Sequence, residues 1–354
     1  MKVYRVIGLM SGSSLDGLDM AYCEFWKIKG AWHFRILQSE TVAYNRAWKD
    51  RLSKIRNFSA EELLALHSEY GYWSGRVVKN FMERHKLFPQ LIASHGHTVF
   101  HQPSRGFSFQ LGSGQAMAQV LALPVIYDFR QKDVLMGGQG APLVPIGDEL
   151  LFKDYDACLN IGGIANVSYS KEGKRYAFDL GPANQLLNNL SLERGMAFDR
   201  DGKIAASGRV DQELLKRLEK NLFYQKPLPR SLSNEYVEQH FLPLLRKETG
   251  VSWEDRLHTA TVHIGSVIGR ELNKIKARKV LVTGGGAKNK FLIRQIQTNF
   301  QGEMVIPEET LVDYKEAMIF ALMGVLRYRG EVNCLASATG ASRNCSTGVI
   351  AFPE

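Results

Sequence analysis

Cysteine is scarce in this chain of 354 residues: Cys23, Cys158, Cys334 and Cys345 are the four. No close pair is spaced for zinc, and no dense pattern frames a disulfide-rich secreted domain. Reduced thiols and a cytoplasmic location are the expectation. Long apolar runs are also missing. No stretch approaches the roughly 20 apolar residues that span a bilayer, and the opening Met1-Lys2-Val3-Tyr4-Arg5 lacks the apolar core of a signal peptide. Neither a G-x-x-x-x-G-K-S/T loop nor a G-x-G-x-x-G fingerprint occurs, which argues against P-loop and Rossmann architectures. Low-complexity segments are absent as well. The formal charge is +9, but Lys and Arg are interleaved with Asp and Glu, without a basic arm or run. No nucleic-acid or membrane partner is expected, and a basic surface serves an anionic small substrate such as ATP.

What is present is an ordinary globular composition, 45% hydrophobic and 23% charged, long enough for two cores. Apolar segments Val3 to Leu9, Leu18 to Trp26 and Trp32 to Val42 predict an antiparallel meander. A capping box, Ser59 with Glu62, opens a helix whose Leu63, Leu66, Tyr70, Trp73 and Val77 recur at helical spacing. Leu91 to Ser94 and Val125 to Tyr127 read as strands around a helical Gln115 to Leu121. The first domain is expected to span 1–127 and to be completed by about 316–354. The pattern restarts after the Gly/Pro-rich Gly137 to Pro145: strands Ala157 to Ile161, Asn166 to Ser170 and Tyr176 to Leu180 define a second domain over 128–315. Helices are expected within Gln212 to Leu222 and Leu257 to Ile275, the latter capped through Ser252 and Asp255. Strand Lys279 to Thr283 and a final helix from about Lys315 to Tyr328 complete the set, the helix burying Ala317, Phe320, Ala321 and Val325 on one face.

Three strand-to-turn segments are rich in Gly, Ser or Asn: Gly8 to Asp19, Asn160 to Asn166, and Thr283 to Asn289. Glycine lets backbone N–H groups approach a phosphate closely, and hydroxyls add donors. One such segment is more often a plain hairpin than a phosphate site. Three, two of them opening matching strand-turn-strand units, point to a nucleotide. This layout resembles the actin, hexokinase and Hsp70 superfamily: an α/β, two-domain actin-like (ribonuclease H-like) ATPase fold with an interdomain cleft.

More narrowly, the chain resembles the anhydro-N-acetylmuramic acid kinases of peptidoglycan recycling. The matching residues are Gly8-Leu9-Met10-Ser11-Gly12-Ser13-Ser14-Leu15-Asp16-Gly17-Leu18-Asp19, Ser94-His95-Gly96-His97-Thr98, Asp128-Phe129-Arg130 with Asp133, Gly137-Gly138-Gln139-Gly140-Ala141-Pro142, Asn160-Ile161-Gly162-Gly163-Ile164-Ala165-Asn166 and Thr283-Gly284-Gly285-Gly286. The resemblance implies a double reaction: water opens the anhydro bridge at the anomeric carbon, and the freed primary oxygen takes the γ-phosphoryl group of ATP. It also implies Mg²⁺ and a homodimer.

Such chemistry needs a carboxylate to activate water. The candidate is Asp179, in Asp179-Leu180-Gly181-Pro182-Ala183-Asn184, which matches the family's Asp-x-Gly-Pro-x-Asn; capping the following helix is its other reading. Gly12, Ser13, Ser14, Leu15, Asp16, Gly17, Leu18 and Asp19, with Asn160, Gly162, Gly163, Gly284, Gly285 and Gly286, are the ATP candidates. Asp16 and Asp19 could hold Mg²⁺ through water or serve only the turn. Glu316 aligns with an acidic cleft residue of the family and is otherwise a first-turn acid favoured by the helix dipole. His95, His97, Arg130, Asp133 and Asn166 are the sugar candidates, Arg130 because a guanidinium can fork onto the lactyl carboxylate. His95, His97 and His101 invite a metal reading, but the family usually has Gln where His97 stands. Leu180, Ala183 and Asn188 depart from the family's Thr, Gly and Asp. These departures leave open a kinase for a different amino sugar, and a catalytically silent nucleotide-binding regulator is a further alternative.

Overall fold

The computed structural model describes residues 2–12, 15–246 and 250–353, in two compact units: 1–153 with 314–354, and 154–313. The first unit opens with the expected meander, β1 (Val3–Ser11), β2 (Gly17–Ile28) and β3 (Ala31–Ala43). β4 (Leu91–Gln102) then lies parallel to β1; β5 (Phe107–Leu111) turns back on it, and β6 (Val125–Tyr127) runs parallel on its other side. β4 is longer than the expected Leu91 to Ser94. Its partner β5, which the sequence reading lacked, supplies the ladder that carries it through His97 and His101.

The second unit repeats the plan. β7 (Ala157–Ile161), β8 (Ile164–Lys171) and β9 (Lys174–Pro182) form an antiparallel meander; β10 (Lys279–Thr283) lies parallel to β7, and β11 (Glu303–Val305) parallel to β10. The chain then returns to the first sheet, where β12 (Val349–Ala351) pairs antiparallel with β6. The sheet orders are β12-β6-β4-β1-β2-β3 and β11-β10-β7-β8-β9. Three antiparallel strands followed by two parallel ones, built twice from one chain, give the two-domain actin-like fold.

Local chemistry explains the helices. Ser59 accepts the Glu62 N–H while the Glu62 side chain accepts the Ser59 N–H, and the helix Ala60–His85 follows. It buries Leu66, Tyr70, Val78 and Phe81; Trp73 and Val77 are partly covered. In the second unit Ser252 caps the helix Trp253–Lys274 through the Asp255 N–H.

The last long helix differs from expectation in two ways. It begins at Glu309, not near Lys315, because Leu311 and Val312 are buried and extend its apolar spacing backwards. From Ala317 to Met323 every side chain is buried, so one apolar face is the wrong description. Strands press on it from one side and the helix Pro145–Leu151 from another. A Cβ on Gly8 would come within 1.9 Å of the Ala317 carbonyl oxygen, and one on Gly147 within 2.5 Å of Ile319. Glycine is the residue that lets β1 approach this closely.

The units divide after Lys153 and Asp313, whereas the sequence reading placed the crossings near Tyr127 and Lys315. The segment after β6 stays with the first unit for identifiable reasons. Asp133 is hydrogen-bonded to Thr339, Asp148 pairs with Lys315 at 2.7 Å, and the Phe152 ring packs on Phe34.

Candidate active site

In the first unit the turn between β1 and β2 is held from below. Ser11 is buried, and its hydroxyl meets the Tyr44 hydroxyl at 2.7 Å and His97 Nδ1 at 3.0 Å; Tyr44 in turn bonds Tyr70. Burial holds the His97 imidazole down to a pKa of about 4 and pushes the Tyr44 hydroxyl up, so both stay neutral. His97 is therefore a support of the turn. Leu15 takes a left-handed φ of 57° and sends its N–H toward the Gly12 carbonyl. Asp16 is exposed, and Asp19 is half-buried, accepting the Thr41 hydroxyl at 2.6 Å. Gly17 is pressed against the Val42 carbonyl, where a Cβ would have no room, and the Leu18 side chain lies in the core. Ser13 and Ser14 lie outside the described residues.

His95 and Arg130 form a second constellation. Arg130 Nε and Nη2 point at His95 Nε2 at 3.0 and 2.8 Å, while His95 Nδ1 lies 2.9 Å from the Gly96 carbonyl. This assigns His95 the neutral tautomer with its proton on Nδ1. Burial and the guanidinium charge both hold its pKa well below the usual range. The remaining Arg130 nitrogen, Nη1, donates to the Gly140 carbonyl at 2.7 Å. Burial lowers the Arg130 pKa to about 10, opposed most by Glu316, so the side chain remains cationic at neutral pH.

Asp133 is fully buried beneath the Gly137 to Pro145 loop. Its carboxylate accepts the Gly140 N–H at 2.8 Å, the Thr339 hydroxyl at 2.8 Å and the Cys334 thiol at 3.1 Å. This environment shapes the loop that supports Arg130. The three histidines do not converge: His95 turns to Arg130, His97 to Ser11, and His101 to Ser108.

Glu316 lies well inside its helix, so the first-turn dipole reading is removed. Burial raises its pKa, with Asp19 and Asp148 adding to the rise and Lys315 and Arg130 opposing it. Asp19 and Asp148 are thus the acids, and Lys315 and Arg130 the cations, whose charges act on Glu316.

In the second unit two glycine turns meet at the end of β7. A Cβ on Gly284 would stand 2.5 Å from Asn160 Oδ1, and one on Gly286 2.2 Å from the Ile161 side chain. Asn184 ties them together: its Nδ2 donates to the Ile161 carbonyl at 3.1 Å, its backbone N–H donates to Gly162, and Nδ2 lies 3.7 Å from a Cβ position on Gly285. The structure thereby brings Asn160, Gly162, Gly163 and Gly284 to Gly286 to one end of the sheet. Asn184 belongs with them and was absent from the sequence-derived site.

Asp179 lies on β9, directly opposite Asn166 on β8. The helix after it, Asn184–Leu192, has Ala183 at its N-cap and no side-chain cap, so the capping role for Asp179 is excluded. Its Oδ2 accepts the Leu232 N–H at 2.8 Å. Burial raises the carboxyl to a pKa of about 6, with bonds from Leu232 and Ser231 and the charge of Arg230 pulling the other way. Arg230, buried beside Glu271 at 3.6 Å, also donates to the Asp179 and Leu180 carbonyls. Sequence reasoning missed this support; the only signal was a basic residue after Pro227-Leu228-Pro229, where proline enforces extended backbone. Leu180 is fully buried in the core, so that departure from the family concerns packing.

Among the described residues, no helix is long and apolar enough to cross a membrane.

A family model described as anhydro-N-acetylmuramic acid kinase matches residues 4–353. A relative from Francisella tularensis subsp. novicida bearing that description is 34% identical, over 98% of each chain. Another from Methylobacterium nodulans is 33% identical over 99% of this chain and all of that one. Solved structures similar to this one include the activator of 2-hydroxyisocaproyl-CoA dehydratase from Clostridium difficile with bound ADPNP, at 12% identity and a TM-score of 0.47 over 92% of this chain and 97% of that one.

Proposed function

Because this chain belongs to the anhydro-N-acetylmuramic acid kinase family, we propose that one coupled reaction is carried by the residues described above. The protein is an ATP-dependent phosphotransferase of cell-wall recycling. Asp179 takes a proton from water as its oxygen attacks the anomeric carbon of 1,6-anhydro-N-acetylmuramic acid. The anhydro C–O bond breaks, and the freed 6-oxygen attacks the γ-phosphorus of ATP, releasing ADP and N-acetylmuramic acid 6-phosphate.

Asp179 is the observation that carries this reading. A carboxyl with a pKa of about 6, fixed by the Leu232 N–H, is ionised at neutral pH yet basic enough to accept a proton. Asn166, its cross-strand partner, is placed to orient the sugar or the water. Arg130, kept cationic and braced by His95 and Gly140, suits the lactyl carboxylate. The pair of turns at Gly162-Gly163 and Gly284 to Gly286 offers backbone donors to the phosphates of ATP. Asp19 and Glu316 would hold Mg²⁺, whose charge offsets that of the transferring phosphoryl group when it is bound. A cytoplasmic location and a homodimer complete the proposal.

The test is product analysis by mass spectrometry after incubation with ATP, Mg²⁺ and the anhydro sugar in ¹⁸O water. Label in the sugar phosphate, at the anomeric oxygen, is expected. Phosphorylated sugar that still carries the anhydro bridge would refute the coupling, and no phosphorylated sugar would refute the substrate.

A further inference from the structure

Cys334 and Cys345, eleven positions apart in sequence, are neighbours across an isolated antiparallel bridge. Each donates its N–H to the other's carbonyl, both at 3.1 Å. A residue pair that exchanges both bonds sets its Cα atoms about 5.5 Å apart, inside the window of roughly 4.4–6.8 Å that a disulfide requires. The thiols are reduced and buried, and Sγ of each lies with an Asp133 oxygen in a group whose atoms are all within 4.8 Å of one another. The other two cysteines, Cys23 and Cys158, are also free and buried.

We propose that Cys334 and Cys345 form a reversible disulfide with an anionic low-molecular-weight disulfide as oxidant, and that closing it loosens the loop beneath Arg130. Cys345 is the attacking sulfur. It is flanked by exposed Arg343 and Asn344, and the hydrogen bond from Cys334 holds its pKa below the usual thiol range, helped by Lys132 and Arg343. These two cations also attract an anionic reagent. Cys334, by contrast, is held protonated by its bond to Cys345, by burial and by the Asp133 charge.

The exchange balances in two steps. Cys345 sulfur attacks one sulfur of the reagent, forming a mixed disulfide and releasing one small thiol. Cys334 sulfur then attacks Cys345 sulfur, forming the protein disulfide and releasing the second small thiol. Two protein thiols are oxidised, one reagent disulfide is reduced, and the two protein protons leave on the released thiols.

The consequence runs through Asp133. The Cys334 S–H, shared between the Cys345 sulfur and Asp133 Oδ1, is lost. That carboxylate holds the Gly140 N–H, and the Gly140 carbonyl receives Arg130 Nη1. The loop closed by the bridge is joined to the loop of Asp133 by the Gln139 N–H on Thr339 and the Ser342 N–H on Met136, and just beyond it Lys132 donates to the Ser346 carbonyl. A shift of one loop is therefore passed to the other. The effect on catalysis rests on the sugar-binding reading of Arg130; the chemistry of the thiols does not.

The experiment treats the folded full-length protein with oxidised glutathione and follows intact mass and tryptic peptides. Expected are a loss of two hydrogens and a cross-linked peptide containing Cys334 and Cys345, reversed by dithiothreitol and absent in Cys345→Ser and Cys334→Ser. Glutathione retained on Cys345 without a cross-link, a cross-link formed only in denaturant, or one zinc ion retained per reduced chain would overturn the disulfide. In the same samples, oxidation is expected to raise KM for the anhydro sugar several-fold and to leave KM for ATP unchanged, with both serine variants insensitive. A cross-link that forms while both constants stay fixed would overturn the coupling to Arg130 and leave the disulfide standing. Absence of turnover in reduced protein would instead refute the kinase reading.

Discussion

Asn166 and Asp179 are cross-strand partners on β8 and β9, and the register shifts immediately before Asn166, between it and Ala165. A bulge of this kind re-aims the side chains that follow it. The proposed base and a proposed sugar ligand are thus fixed to one another by ladder geometry, on rigid strands instead of loops.

Replacing the Asp179 carboxylate with an amide keeps an acceptor for the Leu232 N–H and removes the base. Asp179→Asn is expected to lower kcat by about 10²–10⁴ with the fold intact by circular dichroism. The wild-type kcat/KM should fall as pH drops through about 6, where the carboxyl protonates. Stability moves oppositely. The folded pKa lies above the ordinary 3.8, so the folded state binds the proton more tightly, and this group's contribution is lost as pH rises from about 4 to about 6. At neutral pH the variant should therefore melt at a temperature no lower than wild type; a lower one would show that the carboxylate itself is structural.

His97 titrates with the other sign. Its folded pKa of about 4 lies below the ordinary 6.5, so the unfolded chain binds the proton more readily and stability is lost as pH falls between those values. The shift corresponds to about 3 kcal/mol. His97→Gln, which can still bond Ser11, should remove that loss. Denaturant melts of both proteins at neutral pH and near pH 4 check it: the difference in stability between them should move by about that amount in favour of the variant.

The sequence made the duplicated meander legible because its strands are apolar runs punctuated by glycine. The caps at Ser59 and Ser252 were legible because a capping residue sits beside what it caps. The three glycine turns stood out for a similar local reason, whereas Asp179 was singled out by the motif it shares with the family. The roles of Arg230, Asp133 and the two thiols were not legible. Asp133 meets partners from far along the chain at Thr339 and Cys334, and Arg230 reaches Asp179 from a proline-bounded loop. Contacts made by folding leave no spacing pattern. The late start predicted for the last helix had a different cause: charged Lys315 and Glu316 looked like a terminus, yet buried Leu311 and Val312 continue the helix above them.

The metal assignment separates three acids. Asp19 raises the cost of ionising Glu316, whereas Asp16 is exposed at the turn. Glu316→Gln and Asp19→Asn should each increase the Mg²⁺ concentration for half-maximal activity by about tenfold, the effect of losing roughly 1.4 kcal/mol of binding. Asp16→Asn should change it less. Titrations of initial rate against Mg²⁺ at saturating ATP distinguish these outcomes, and a larger effect at Asp16 would move the site to the turn.

Arg230 and Glu271 set the electrostatics behind the base. The guanidinium is nearly enclosed, donates to the Asp179 and Leu180 carbonyls, and has the Glu271 carboxylate at 3.6 Å. Its charge holds the Asp179 pKa down against the larger effect of burial. Arg230→Met removes that charge, so the acid limb of kcat/KM should move above pH 6. Glu271→Gln removes the counter-charge and leaves the guanidinium acting more strongly on Asp179, so the limb should move below it. The two variants also differ in stability. Arg230→Met leaves buried Glu271 with the largely exposed Lys274 at 2.9 Å, at a cost of about 3 kcal/mol. Glu271→Gln keeps a neutral acceptor beside Arg230 and should cost less. Opposite shifts of the acid limb, measured with melting temperatures that both fall, would tie this pair to the ionisation of Asp179; shifts in the same direction would assign it to packing alone.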